Sequence, residues 1–389
     1  MKRKEMVAIA GVGDVELLDG KVQDGLSVLQ IQALAAKAAL QDAGLKKDDV
    51  DGMLVAGNWG VPGIGGHPSA VVAEYLGITP KYTDSTNIGG SSFEAHIGHA
   101  AAAIQAGKCE VALIVFGSTQ RSQRSRSLGG RPPILTMQYD TPYGLPFPVG
   151  AYGMAAQRHM HQYGTTSEQL AEVAVSARKW AQLNPAATKR GSLTVEDVLN
   201  SPLICDPLHK LDCCLVTDGA GAVVVVSAER ARDCRKKPIW VLGHGESQSH
   251  WSIHSMPDFT KTSAAQSGKT AFEMAGVTHK DIDVLEIYDS FTITPLLTLE
   301  ALGFCEPGES GHFVASQRTS PGGELPMNTN GGGLSSMHPG MYGIFLLIEA
   351  VRQLRGECGE RQVHDARTAL VNGTGGELSA TSVCILGRD

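Results

Sequence analysis

No stretch of this chain approaches the ~18 consecutive apolar residues that a membrane helix needs, so no membrane span is expected. Basic charge is also in short supply. Lysine and arginine number 33 against 40 acidic residues, and a net charge of −7 argues against nucleic acid as a partner. Val7–Ala10 is too short for the core of a signal peptide and reads as a first strand. The eight cysteines, at 109, 205, 213, 214, 234, 305, 358 and 384, form no disulfide-like pattern. Scattered through apolar stretches, they fit reduced, buried thiols in a cytoplasmic protein. Cys213 and Cys214 are adjacent, too close for an ordinary tetrahedral metal pair, and read as core. His96 and His99 sit three apart on a helix, but no third ligand lies near, so no metal is expected.

What is present is a duplicated pattern. At 389 residues the chain can hold two domains or one unit used twice. Residues 39–55 and 271–287 align at one offset, with Gly44 matching Gly276, Asp49 matching Asp281 and Asp51 matching Asp283. Each copy reads as an amphipathic helix, a glycine stop, an acidic turn and a buried strand. A weaker echo pairs the apolar helices 100–107 and 344–356, each followed by a strand. Helix–strand pairs in this order predict right-handed crossovers and a mainly parallel sheet in each half. The halves are taken as 1–235 and 236–389.

Between a strand at 111–116 and a valine-rich strand after Asp218 lies an insertion of about 119–215. It opens with Arg121, Arg124 and Arg126 and a Pro/Gly-rich tract, then shows helices at 153–163 and 168–182, the second capped around Thr166 to Glu168. Segments of this size inside a domain are usually lids or binding loops. The stretch 328–343 is the richest in chemistry. Gly331, Gly332 and Gly333 permit close backbone approach. His338 is held against Pro339 just before an apolar helix, whose N-terminal dipole lowers an imidazole's proton affinity.

With Asp218–Ala222, Tyr288–Phe291, Leu299–Cys305 and Asn330–Pro339 in this order, the chain resembles the thiolase superfamily over essentially its whole length. The likeness is to its sterol-carrier-protein-X-like and lipid-transfer-protein-like branch. The resemblance implies an α/β fold of two similar halves in a five-layer αβαβα arrangement, generally dimeric, acting on acyl-CoA. Coenzyme A then arrives as part of the substrate, and no cofactor is bound by the chain itself. Relatives without the cysteine often work with a small OB-fold, zinc-ribbon partner protein. Relatives also hold the nucleotide end of coenzyme A where Arg121 and Arg124 stand, and guanidinium groups suit phosphates.

By the same likeness the nucleophilic cysteine's place falls on Gly89, within Ser85–Phe93. Ser91 or Ser92 would need a positioned base to replace it. Tyr288 stands where relatives carry Asn or His. Asn372 or Gly373 replaces the second cysteine, and His338 matches the family. Covalent acyl transfer then loses its leaving thiolate. What remains is a site for a thioester enolate, with Gly89, Gly90, Gly375 and Gly376 as oxyanion donors. Tyr288 and His338 share the proton work of a retro-aldol cleavage, as in cysteine-free relatives that act as aldolases with a tyrosine at this position. The alternatives are acetyl-CoA acetyltransferase-like chemistry with another nucleophile, and a non-catalytic subunit that binds CoA esters or carries lipid.

Overall fold

Along the valine-rich segment Gly219–Ser227, successive side chains enter two different cores, as strand geometry requires. Val223 and Val225 join one core, while Ala220, Ala222, Val224 and Val226 join another. Val7 and Ile9 separate from Ala8 and Ala10 in the same way. Both faces of these strands are covered, which is why they read as continuous apolar runs.

The computed structural model describes residues 6–57, 67–123 and 134–389. Its main sheet comprises β1 (Val7–Asp14), β2 (Gly52–Leu54), β3 (Tyr82–Asp84), β4 (Val111–Ser118), β5 (Gly219–Ser227), β6 (Ile239–Gln248), β7 (Val284–Ile287), β8 (Thr368–Gly375) and β9 (Ala380–Gly387). The strand order is β3-β2-β4-β5-β1-β6-β9-β8-β7. The two halves of the sheet meet in its middle, where β1 and β6 pair over two residue pairs, Ala8 with Trp240 and Ile9 with Ile239. The main helices are α1 (Val28–Ala43), α2 (Pro68–Leu76), α3 (Ser92–Gln105), α4 (Val149–Tyr163), α5 (Ser167–Gln182), α6 (Ala264–Ala275), α7 (Ile293–Ala301) and α8 (Gly343–Arg355).

Three cores separate five layers. α1 and α2 pack on the outer face of the first strands, and α6 and α7 on the outer face of the last. α3 and α8 lie between, touching strands of both halves. Their burial follows from that place: Ser92–Gly98 has no exposed residue, and α8 is buried along most of its length. α8 ends at Gly356, whose φ of 76° lets its N–H turn back to the Arg352 and Gln353 carbonyls.

The sheet differs from expectation in one respect. β2 pairs in parallel with β3 and β4, and β7 with β8, but β5 and β9 run antiparallel to both neighbours. β9, which the sequence pattern does not announce, closes a hairpin with β8 instead of a crossover. β5 holds the corresponding place in the first half but is reached only after the long excursion from β4. Within that excursion α4 starts before the expected Gly153, and the Thr166 capping box closes on Gln169 rather than Glu168. Among the described residues no helix is long and apolar enough to cross a membrane.

Candidate active site

Tyr288 follows directly on β7 and extends its ladder, donating its N–H to the Asn372 carbonyl at 3.0 Å. The next residue, Asp289, shapes the loop that carries His338. Its carboxylate accepts the N–H groups of Gly333 at 2.7 Å and Leu334 at 3.2 Å. A Cβ on Gly332 would collide with that carboxylate, so the glycine run lets the backbone wrap it. Asn328 pins the loop's other end, taking the Ile287 N–H on Oδ1 at 2.8 Å. Thr217, from the end of the excursion, then brackets His338. Its hydroxyl accepts the His338 N–H at 3.0 Å, and its own N–H donates to the His338 carbonyl at 3.2 Å.

These supports bring two rings together. The Tyr288 hydroxyl lies 3.0 Å from His338 Nε2. The Tyr342 N–H donates to the same phenol oxygen at 3.1 Å, and a phenol proton given to Nε2 would put the imidazole proton on Nδ1. The Tyr288 ring stands edge-on to His338, and the Tyr342 ring stacks beside the imidazole. Burial pushes the His338 pKa down to about 4 and raises that of Tyr288 well above its ordinary value. Burial, rather than the helix dipole expected from sequence, is the leading cause. A neutral phenol hydrogen-bonded to a neutral imidazole is therefore the resting state.

The first half supplies space. A Cβ on Gly90 would overlap the Tyr288 ring, and at Gly89 (φ 69°) it would sit 2.8 Å from the Gly375 Cα and the Gly376 nitrogen. Gly375 itself packs against the Ile88 carbonyl. The Gly89 N–H is engaged by Asn87 Oδ1 at 3.1 Å. Ser91 and Ser92 are fully buried and donate their hydroxyls to the Ile88 and Gly89 carbonyls, at 3.1 and 2.6 Å. Neither meets a base. Behind them Glu94, also buried, has neither carboxylate oxygen hydrogen-bonded, and desolvation drives its pKa up to about 8.

A cavity of about 400 Å³ opens over the pair and is lined largely by apolar side chains. Tyr288, His338, Gly89, Gly90 and Gly376 line it. Asn372 does not. It is buried within β8, donating to the Ser382 carbonyl at 3.4 Å, while Thr374 reaches the wall. Arg121 pairs with Asp19 at 3.4 Å and is not part of the wall, and Arg124 lies outside the described residues. Cys214, expected in the core, lines the cavity. Burial, with Cys213 and Asp289 adding, raises its pKa well above the ordinary thiol value. His96 bonds to the Thr86 carbonyl, and His99 to the Asp84 and Glu246 carboxylates.

Sequence reasoning missed Glu94, Tyr342, Cys214 and Glu377. The signal for Glu94 was a charged residue within the apolar α3. Glu377 stood beside a singled-out glycine pair. For Cys214 there was no local signal, because only the excursion's path back to β5 brings it to the cavity.

Residues 18–229 match the family described as thiolase, N-terminal domain, and residues 245–388 match thiolase C-terminal domain-like. The chain is 34% identical to an acetyl-CoA acetyltransferase of Methanothermobacter thermautotrophicus, covering 98% of this chain and 99% of that one. It is 35% identical to a steroid side-chain-cleaving aldolase of Thermomonospora curvata, over 98% of each. Among solved structures, an Ltp2-ChsH2(DUF35) aldolase superposes with a TM-score of 0.88 at 34% identity, covering 99% of this chain and 98% of that one. The chain belongs to the thiolase superfamily, in the branch that holds sterol carrier protein 2 and these aldolases. It is an enzyme of the thiolase fold.

Proposed function

We propose that this enzyme cleaves a 3-hydroxyacyl-CoA by retro-aldol chemistry into a shorter acyl-CoA and a ketone or aldehyde. One observation carries the proposal: a phenol bonded to an imidazole fills the space over Gly90, beside the place where the family resemblance seats its nucleophile. Since the phenol's pKa is raised and the imidazole's lowered, a free tyrosinate is costly. A relay avoids it. The substrate's 3-hydroxyl passes its proton to the Tyr288 oxygen as the Tyr288 proton moves to His338 Nε2. The oxygen's electrons form the new C=O, the Cα–Cβ bond breaks, and its pair moves into the thioester enolate. The proton on His338 then returns through Tyr288 to Cα. Gly89, Gly90 and Gly376 bring backbone to the cavity wall, where a developing oxyanion would lie.

Arg121 and Arg124 are the proposed contacts for the nucleotide end of coenzyme A. The Ltp2-ChsH2(DUF35) aldolase supports a small DUF35-type partner; its OB-fold and zinc-ribbon build, and a homodimer of this chain, are proposed on the family resemblance alone. Eight unpaired thiols fit a cytoplasmic setting. Tyr288→Phe tests the central step. Turnover of a 3-hydroxyacyl-CoA panel, supplied with the partner, is expected to fall by roughly 10²–10⁴-fold. Retained turnover would remove the tyrosine from the mechanism.

A second reading rests on Cys214, the thiol in the cavity wall, and on the acetyltransferase relative. It requires an acyl adduct on that sulfur, visible by intact mass after incubation with acetyl-CoA. Its raised pKa disfavours the thiolate that attack demands.

A further inference from the structure

Glu377 is the one carboxylate among the described residues that line the cavity. It lies in the turn from β8 to β9 and is 2% exposed. One oxygen accepts the Ile253 N–H at 2.5 Å, and among the described residues the other meets no hydrogen-bond donor. The turn cannot easily swing it out to water. The Tyr152 hydroxyl donates to the Gly376 carbonyl at 3.1 Å, and His250 Nε2 lies 2.9 Å from the Glu377 carbonyl.

The carboxylate and the Tyr288–His338 pair line the same cavity. The cavity it lines is largely apolar, with Phe147, Leu215, Val216, Trp251 and Phe291 in its wall. A buried carboxyl with an open oxygen is costly in such surroundings unless a ligand brings a donor. Burial, reinforced by Asp140 and opposed by the Ile253 N–H and His254, brings its pKa up to about 6. It is therefore largely ionised at neutral pH, and in that form it only accepts.

We infer that Glu377 reads the substrate, accepting a hydrogen bond from a hydroxyl on the bulky apolar portion and selecting against a ketone at that carbon. For the identity of the substrate this rests on the retro-aldol proposal; the geometry does not. The test is therefore binding rather than turnover. Pairs of decalin-sized cyclic ketones, matched except for a ring hydroxyl or a ring ketone remote from the common carbonyl, are titrated into the full-length protein by calorimetry. The wild type is expected to favour the hydroxyl member by roughly tenfold or more. In Glu377→Gln the amide oxygen can keep the Ile253 bond while its N–H groups offer a donor, so the preference should turn toward the ketone. Glu377→Ala should bind both members alike. The ratio within each pair is the readout, so a general loss of affinity in a weakened variant does not imitate the result. Equal affinity of the wild type for both members, or the same preference in all three proteins, would overturn the inference. If the ratios shift as expected while no 3-hydroxyacyl-CoA is cleaved, the aldol proposal fails and the role of Glu377 stands.

Discussion

The two halves of this enzyme use the same helix–strand unit and put opposite things at its active end. In the second half, the segment before α8 carries His338 and Tyr342, and β7 delivers Tyr288. In the first half, the segment before α3 carries Gly89 and Gly90, with both following serine hydroxyls turned onto backbone carbonyls. One half provides the titrating rings and the other provides the hollow that receives them. The connections differ in the same complementary way. From β8 the chain reaches β9 by a tight turn, whereas from β4 it reaches β5 only after the excursion that contributes Phe147, Tyr152, Cys214 and Thr217 to the site and its supports. A duplicated scaffold thus builds an asymmetric site, because two copies of the same side chains could not occupy one space.

That division can be attacked most severely at Gly90. Gly90→Ala places a methyl group inside the Tyr288 ring's volume and should displace the phenol from His338. Turnover is expected to fall by roughly 10²-fold or more, as a displacement of about 1 Å can cost that much. An unchanged rate would mean that the hollow is not needed. Gly89→Cys asks instead whether a thiol can be put back. At φ 69° the new Cβ meets Gly375 and Gly376, so a stability loss of about 1–3 kcal/mol is expected in denaturant titrations. Intact mass should detect no acyl-enzyme after incubation with acetyl-CoA; an adduct on residue 89 would show the first half still able to hold a nucleophile.

The smallest effect concerns the orphaned carboxyl behind the glycines. In the folded chain Glu94 keeps its proton up to about pH 8, against an ordinary pKa of 4.5. Its contribution to stability is full below about pH 4.5 and is lost as pH rises toward 8. His338 and His96, both lowered from 6.5 to about 4, act in the opposite sense and lose stability as pH falls through that window. Above pH 6.5 the Glu94 effect should dominate over theirs. Glu94→Gln is expected to flatten the decline between pH 6.5 and 8 by about 1 kcal/mol per pH unit. Parallel curves for the two proteins would show that Glu94 is not protonated when folded.

Much of the architecture was legible in residue order. Glycine stops at 44 and 276, the repeated acidic turns and the alternating valines locate helices and buried strands, since those signals act within a few neighbours. Tyr288 and His338 were legible as chemistry, each within a recognisable run. Local pattern could not reveal β9, because an all-buried strand and a buried helical segment look alike over eight residues. Nor could it bring Cys214 and Glu377 to the cavity, since their neighbours come from distant parts of the chain.

By itself the sequence determined a duplicated α/β enzyme with a tyrosine and a histidine in the family's reactive motifs. Only the tertiary structure decided that those rings share a hydrogen bond, that residue 90 carries no side chain where Tyr288 fills the space, and that the Glu377 carboxylate lines the cavity beside them. Periodicity and capping depend on near neighbours, while proton affinity and steric exclusion depend on whichever groups the fold packs together.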